Sequence, residues 1–356
     1  MKKTLLAMAV LAASGAAFAQ SSVTLFGVVD ATLAFGKGSV ANKTALTNSG
    51  YNSSRLGFRG TEDLGGGMKA NFWLEAGVNN DDGTGGASNT NNQSVGAFDA
   101  ASGANSPVRA GTQGLTFNRR SVVSLSGGFG EVQLGRDYTP HFYNVTAYEP
   151  FGTNGVGTSQ LANSGWIRPT SVRASNSIAY NLPGNLGGFG GQVMYYMGEN
   201  VSTAANEGKG LSVRGNFNQG PISVQVAYGK TDYATGSDKV TNFGASYDFG
   251  VAKLMGVYAI DNYSGVKSKG ASIGVTAPVG AGDIRAAFST YKADVSGAKS
   301  SKIALGYNHN LSKRTVAYAT LARVTNAGGA KQALNGSSTA ANGSSTGYDF
   351  GIRHSF

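Results

Sequence analysis

Apolar residues alternate with polar ones in segment after segment of this chain. In the first such segment, residues 23–35, the odd positions hold apolar residues or glycine, whereas Thr24, Asp30 and Thr32 fall on even positions. Successive side chains of a β-strand point to opposite faces, so a period of two predicts strands with one apolar and one polar face. The pattern recurs over residues 68–78, 211–218 and 222–228. Such strands need an apolar partner on one face and water on the other.

Two kinds of connection separate these segments, and they alternate along the chain. Seven short turns rich in Gly, Pro, Asn or Asp lie at residues 61–67, 127–130, 183–188, 218–221, 248–252, 278–283 and 309–313. Eight longer polar stretches lie near residues 36–52, 79–114, 138–172, 198–209, 231–239, 261–270, 292–301 and 325–346. This alternation predicts about sixteen antiparallel strands, with both chain ends on the short-turn side.

The N-terminus has the features of a secretory signal. Lys2 and Lys3 precede an apolar run, and Ala17-Phe18-Ala19 fits the small-x-small cleavage pattern. We therefore expect residues 1–19 to be a signal peptide and residues 20–356 to form the folded domain. No later segment approaches the roughly 18 consecutive apolar residues that a membrane helix needs. The exported chain is then either a soluble all-β protein or a membrane barrel.

The composition favours strands and limits the possible partners. The chain has 54 Gly but only 7 Pro, with 16 Tyr and 17 Phe, a mixture that suits strands and tight turns better than helices. It has no cysteine, which excludes a disulfide framework. Removing the signal leaves 27 basic residues of 29 against 19 acidic, so the net charge falls from +10 to +8. An exported chain with no basic run longer than Arg119-Arg120 is a poor candidate for binding nucleic acid, which leaves anionic lipid or anionic solutes.

A soluble sandwich would also satisfy the alternation, but three features favour a closed barrel. An even number of strands closes an antiparallel sheet without a free edge. Long and short connections segregate to opposite ends, and the last strand, residues 347–356, runs to a terminal Phe. In lipid only a closed sheet satisfies every backbone polar group. The predicted fold is an all-β transmembrane barrel of about sixteen strands, which is wide enough to leave an aqueous channel.

Four blocks of the sequence resemble one protein family. Residues 55–67 read Arg-Leu-Gly-Phe-Arg-Gly-Thr-Glu-Asp-Leu-Gly-Gly-Gly, and they are joined by residues 21–30, 135–137 and 351–356. These blocks resemble the general trimeric porins of betaproteobacterial outer membranes, particularly the anion-selective members. The resemblance implies an outer-membrane location and a homotrimer in contact with lipid and lipopolysaccharide. It also implies short periplasmic turns, long extracellular loops and no cofactor.

The resemblance assigns roles to the third long stretch and to the chain end. Residues 138–172 contain Tyr148-Glu149-Pro150-Phe151-Gly152, which is similar to the porin segment that folds inward and constricts the lumen. An ordinary surface loop is the alternative. The terminal Phe356 corresponds to the tag read by the barrel-assembly machinery. The implied function is passive diffusion of small anionic and neutral solutes.

Arginines provide the candidate constriction. Arg55 and Arg59 share one strand face opposite Leu56 and Phe58, and they should face water because an arginine facing lipid at mid-depth costs about 2–4 kcal/mol. The resemblance matches further residues to the family's constriction, namely the basic Arg119, Arg173 and Arg136 and the acidic Glu75 and Glu149. Arg120 has the opposite parity to Arg119, which suggests a place near a bulge or the rim. Solvated wall charges or salt-bridge partners are the alternative for each arginine, above all for Arg136, Arg214 and Arg285.

The sequence gives little support for a catalytic function. The Gly-x-Ser-x-Gly match at residues 270–274 lies in an alternating strand with no helix after it. The three histidines suggest neither a triad nor a metal cluster, and Asp81-Asp82-Gly83 lacks the carboxylates of a calcium loop. Three function classes remain: a diffusion porin with anion preference, an outer-membrane barrel hydrolase, and an exported all-β adhesin or lectin. The porin, which is not an enzyme, accounts for more of the sequence.

Overall fold

The computed structural model describes residues 22–86, 88–89, 92–93, 98–99, 104–105, 109–110, 115–165, 169–200 and 207–356. The predicted signal segment, residues 1–19, lies outside these ranges. No helix in the described part of the chain is long and apolar enough to cross a membrane.

Sixteen strands form one antiparallel sheet. They are β1 Ser22–Gly38, β2 in two pieces (Lys43–Asn48 and Arg55–Gly65), β3 Met68–Asn79, β4 Arg120–Gly127, β5 Gly130–Tyr138, β6 Arg173–Asn181, β7 Phe189–Tyr196, β8 Lys209–Gln219, β9 Ile222–Tyr233, β10 Gly236–Asp248, β11 Lys253–Tyr263, β12 Val266–Val279, β13 Gly282–Ala293, β14 Lys299–Asn310, β15 Thr315–Ala327 and β16 Ser344–Ser355. Two helices, α1 Pro140–Ala147 and α2 Gln160–Gly165, lie between β5 and β6. Two-residue strands lie at Thr84–Gly85, Ser88–Asn89, Phe98–Asp99, Ala104–Asn105 and Arg109–Ala110.

The sheet closes on itself. Each strand pairs with its neighbours in the chain, and β16 pairs with β1 in a continuous register from Val28 opposite Ser355 to Gly38 opposite Ser345. Closure leaves no free edge, so every strand finds a hydrogen-bonding partner on both sides. The predicted sixteen-strand antiparallel barrel is confirmed.

The two faces of the wall differ as the alternation predicts. On β1, Val23 and Leu25 are 70% and 55% exposed, whereas Asp30 and Thr32 are almost fully buried inside the barrel. On β16, Phe350 is exposed on the outer face. The outer surface is therefore apolar and the inner surface polar, the reverse of a soluble protein.

All seven predicted short turns separate consecutive strands, but two of the predicted long connections are wrong. Instead of polar loops at residues 231–239 and 261–270, the strands continue to tight turns, where Tyr233 pairs with Gly236 and Tyr263 pairs with Val266. Gly236 in the first turn, and Ser264 and Gly265 in the second, have positive φ. The polar side chains in these stretches belong to paired strand ends, which composition alone does not distinguish from a loop.

The predicted connection at residues 36–52 is also wrong in detail. β1 continues to Gly38, and the first piece of β2 pairs with its upper half. Residues 49–54 then leave the sheet, and pairing with β1 resumes where Arg55 lies opposite Val28. We call residues 49–54 the inner segment.

Asp30 holds the inner segment inside the barrel. Its carboxylate accepts hydrogen bonds from the backbone N–H groups of Tyr51 and Asn52, at 2.8 and 2.6 Å. Its own backbone N–H donates to the hydroxyl of Ser54 at 3.0 Å. These bonds replace sheet pairing for backbone groups that would otherwise be buried without partners.

Candidate functional site

We call the segment between β5 and β6, residues 139–172, the long loop. Its described parts, residues 139–165 and 169–172, fold along the inner wall. Helix α1 packs against β7 to β10. Nδ1 of His141 lies 2.9 Å from the hydroxyl of Ser212 on β8, and the hydroxyl of Tyr148 lies 2.8 Å from that of Ser223 on β9. Burial lowers the pKa of His141 to about 4, so this imidazole is neutral at physiological pH. His141 therefore anchors the loop rather than contributing charge.

The second half of the long loop continues around the wall. Helix α2 packs against β12, β13 and β14. The backbone N–H of Val156 donates to Asp349 on β16 at 2.7 Å, and Nζ of Lys302 on β14 donates to the carbonyl oxygen of Val156 at 3.1 Å. Phe151 packs in a buried cluster with Ala304 and neighbouring side chains. The described part of the loop thus lies mainly against β7 to β16. We call the wall from β2 to β6 the uncovered wall, because the main contacts of α1 and α2 lie elsewhere.

Glu149 does not face the arginines as the resemblance implies. Its side chain belongs to a residue only 6% exposed, and its carboxylate accepts hydrogen bonds from both the N–H and the hydroxyl of Ser159. Burial raises the pKa of Glu149 to about 7, although Lys302 and the Ser159 bonds act in the opposite direction. This carboxyl group lies inside the loop, where it holds two parts of the loop together.

Four of the residues matched to the family's constriction meet on the uncovered wall, with Glu75 at the centre. Its Oε1 lies 2.6 Å from Nε of Arg119 and 3.8 Å from Nε of Arg55. Its Oε2 accepts a hydrogen bond from the indole N–H of Trp73 at 3.2 Å. The fourth residue, Arg173, reaches the group through Arg119. One carboxylate thus serves two guanidinium groups that are close to each other.

Tyr138 holds the other side of this group. Its hydroxyl accepts a hydrogen bond from Nη2 of Arg119 at 3.1 Å, and the guanidinium of Arg173 lies 4.3 Å from its ring centroid. Nε of Arg173 donates to the carbonyl oxygen of Arg119 at 2.8 Å. A ring face and a backbone carbonyl thus position Arg173.

Arg120 also belongs to this group, and it lies beside an irregularity of the kind that its parity suggested, the register shift between Gly135 and Asp137 on β5. It lies opposite Glu75 in the β3–β4 register and forms a 2.9 Å ion pair with Asp137. Its guanidinium carbon lies 4.5 Å from the centroid of the Trp73 ring. Arg119 lies just before β4 begins, so strand parity does not apply to it. Counting back from the outward-facing Val123 would have placed Arg120 inward. We call Arg55, Arg119, Arg120, Arg173, Glu75 and Asp137 the arginine cluster.

The other predicted basic residues lie beside the cluster. Arg59 is exposed on the inner wall, with its guanidinium 5.4 Å from the Phe26 ring centroid and 5.2 Å from that of Trp73. Arg136 donates from Nε to the carbonyl oxygen of Asn118 at 2.6 Å and from Nη1 to Ser175 at 2.7 Å. Arg59 presents its charge to the interior, whereas Arg136 ties adjoining segments together.

The chain end joins the first strand on the outer surface. The backbone N–H of Phe356 donates to the carbonyl oxygen of Gly27 at 3.1 Å, and the N–H of Gly27 donates to the carbonyl oxygen of Phe356 at 3.0 Å. The Phe356 ring occupies the space in front of Gly27. A Cβ at Gly27 would lie 2.2 Å from that ring, so only glycine admits it here. The terminal aromatic ring completes the seam between β16 and β1.

A closed sixteen-strand barrel with a polar interior and an internal loop is the architecture of a porin, and comparison with known proteins agrees. Residues 5–329 match the model of the Gram-negative porin family. The chain belongs to that family. It is 39% identical over the full length of both chains to outer membrane porin protein 32 of Delftia acidovorans. Members are channel proteins rather than enzymes, and the porin is a protein of the Gram-negative outer membrane.

Solved structures agree with the fold of the porin. The anion-selective porin from Comamonas acidovorans superposes with a TM-score of 0.79 at 35% identity, over 95% of this chain and 100% of that one. The trimer form of OmpT from Vibrio cholerae superposes with a TM-score of 0.66 at 13% identity and shares the fold. These likenesses do not favour the barrel hydrolase or the adhesin.

The remaining motifs have structural explanations in the porin. Residues 270–274, the Gly-x-Ser-x-Gly match, lie within β12 rather than at a strand-to-helix turn. Asp82 accepts hydrogen bonds from the N–H and hydroxyl of Thr84, and Asp81 accepts one from Asn48. Among the described residues no group of three or more His, Cys, Asp or Glu could hold a metal ion.

Proposed function

We propose that the porin forms a water-filled channel with anion preference, in which small hydrophilic solutes pass between the long loop and the arginine cluster. The observation that carries this proposal is the composition of the uncovered wall. The cluster places four arginines against two carboxylates, and Arg59 adds a further exposed positive charge nearby. The long loop, within residues 138–172, would form the other side of the constriction.

Electrostatics explains how such a wall would select. At physiological salt the Debye length is about 8 Å, so charges lining a passage of similar width are only partly screened. An excess of positive charge there raises the local concentration of anions and lowers that of cations. Side chains of Arg55 and Arg120 remain 23% and 24% exposed, so their charges reach the water-filled space. Selection then occurs at the narrow level of the channel, while the wider ends discriminate little.

The reversal potential of purified porin in a planar bilayer tests the proposal. Under a KCl gradient, the proposal expects a potential of the sign that chloride permeation produces. The double variant R55A/R173A should shift it toward the potassium side. As a matched control, R323A removes a positive charge from the exposed outer face of β15 and should leave the potential unchanged. A cation-selective wild-type channel, or equal shifts in both variants, would refute the proposal.

For assembly, we propose a homotrimer in contact with lipid and lipopolysaccharide, reached through recognition of the C-terminal strand by the barrel-assembly machinery. The trimer form of OmpT from Vibrio cholerae, which shares the fold, supports the first part. The terminal position of Phe356, paired to β1 and 45% exposed on the outer surface, supports the second. Chemical crosslinking of the porin in intact outer membranes tests the trimer, because a ladder ending at three subunits is expected and a ladder ending at one would refute it.

A further inference from the structure

The inner segment touches the long loop inside the barrel. The hydroxyl of Ser53 donates to Oδ1 of Asn154 at 2.7 Å. Gly155, with φ of 60°, packs directly on the carbonyl oxygen of Gly50, and a Cβ at Gly155 would lie 2.0 Å from that oxygen. Two stretches of chain that are a hundred residues apart thus form one continuous surface.

Arg285 on β13 fastens both stretches to the wall. Its Nη1 donates to the carbonyl oxygen of Pro150 in the long loop, and its Nη2 donates to the hydroxyl of Tyr51 in the inner segment, both at 3.0 Å. Its Nε forms a 2.6 Å ion pair with Asp283, which balances its charge. The guanidinium also lies 4.7 Å from the Tyr51 ring centroid. Each of its three nitrogens has a different partner, and a planar fork is required to reach all of them.

The arginine cluster holds the inner segment from the other side. Nη1 of Arg55 donates to the side-chain oxygen of Asn52 at 3.0 Å and to the carbonyl oxygen of Ser53 at 3.1 Å. The inner segment therefore lies between Arg55 and Arg285. Beside it is a cavity of about 530 Å³, whose lining includes Tyr51, Asn52, Pro150, Phe151, Asn154 and Arg285. This open space borders both stretches of chain.

We infer that two elements, the long loop and the inner segment, narrow the passage together, and that Arg285 is the positioning residue that fixes their relative position. The inference rests on the porin being a channel and is independent of the sign of its ion preference. Because Asp283 balances the charge of Arg285, its contribution is geometric. Loss of its bonds would release the Tyr51 hydroxyl and the Pro150 carbonyl at once, so the width of the passage would fluctuate although Asp30 and Arg55 still hold the inner segment.

Single-channel recording tests this inference with variants that separate charge from geometry. R285K keeps the positive charge but cannot reach three partners, and R285M removes both. We expect both variants to lose the single well-defined conductance level of the wild type and to show increased open-channel noise, while R285K keeps the wild-type reversal potential. R323M, on the outer face, is the matched control and should record as wild type. A wild-type conductance level in R285K would overturn the inference.

Two further measurements keep the test independent of how well R285M folds. Y51F removes only the hydroxyl that Arg285 contacts, so it should add noise in the wild-type background and no further noise in R285M; additive effects would contradict the inference. The natural chain has no cysteine, so S53C/N154C introduces one defined pair. Oxidising that pair in the R285M background should restore a single conductance level, which reduction should abolish. If the noise persists although mass spectrometry verifies the disulfide, the inference is overturned. A cation-selective reversal potential in the wild type would instead refute only the proposed anion preference.

Discussion

The shared position of Arg55 and Glu75 permits a quantitative test of how the arginine cluster selects ions. Their charged atoms are 3.8 Å apart, so they act on a passing ion from nearly the same place. An ion about 5 Å from either charge interacts with it by about 0.8 kcal/mol in water. A Debye length of about 8 Å reduces this to about 0.4 kcal/mol. The effect has opposite signs for an anion and a cation.

These values predict symmetrical changes in selectivity. R55Q should lower the anion-to-cation permeability ratio about fourfold, and E75Q should raise it about fourfold, because the two ions together differ by about 0.8 kcal/mol. The double variant R55Q/E75Q should return the ratio close to that of the wild type. Reversal potentials under a KCl gradient provide all three ratios, and R323Q on the outer face controls for nonspecific effects. If R55Q and E75Q moved the ratio in the same direction, or if the double variant did not recover, the cluster would not act through local charge.

Three other predictions concern stability and assembly. The folded porin binds a proton on Glu149 more tightly than the unfolded chain does, so its stability should fall by about 3 kcal/mol as pH rises from about 4.5 to about 7; E149Q should flatten the dependence of the melting midpoint on pH, and an unchanged slope would contradict the burial of this carboxyl. G155A should cost more than about 1 kcal/mol, because its positive φ and the nearby Gly50 oxygen exclude a Cβ, whereas G184A, which faces open space, should melt like the wild type. Deleting Phe356 should reduce the heat-modifiable porin recovered from outer membranes, and full recovery would show that the terminal ring is not an assembly signal.

The sequence predicted the wall because the physics of the wall is local. A strand between lipid and water must alternate, so residues such as Leu25 and Asp30 reveal their faces without knowledge of any distant contact. The number of strands followed from counting turns. The tight turns at Tyr233–Gly236 and Tyr263–Val266 were not predicted, because paired strand ends above the membrane are as polar as loops.

The interior was less predictable because it depends on contacts between distant segments. The resemblance brought Arg55, Arg119 and Glu75 into one cluster, as the structure does. Parity counted from Arg119 is misleading because Arg119 precedes the sheet, whereas parity counted from Val123 places Arg120 inward. The turn that brings Ser159 to Glu149 has no signature in the sequence, and it holds that carboxyl inside the loop.

The break in β2 that forms the inner segment arises from a similar long-range arrangement. Asp30 looks like one more inward polar residue in the alternation, but its carboxylate binds two backbone N–H groups of a stretch that leaves the sheet. A sequence pattern records which face a side chain takes. It does not record that a neighbouring strand will be interrupted to reach it.

The unequal lengths of the strands have a mechanical consequence. The long loop emerges between β5 and β6, which have 9 residues each, and it rests partly on β9, β10 and β12, which have 12, 13 and 14 residues. Longer strands share more hydrogen bonds with their neighbours. The loop therefore starts from the less rigid side of the barrel and packs against the more rigid side. Foreign peptides inserted at the tight turns between β9 and β10 and between β11 and β12 should therefore leave the channel conductance unchanged.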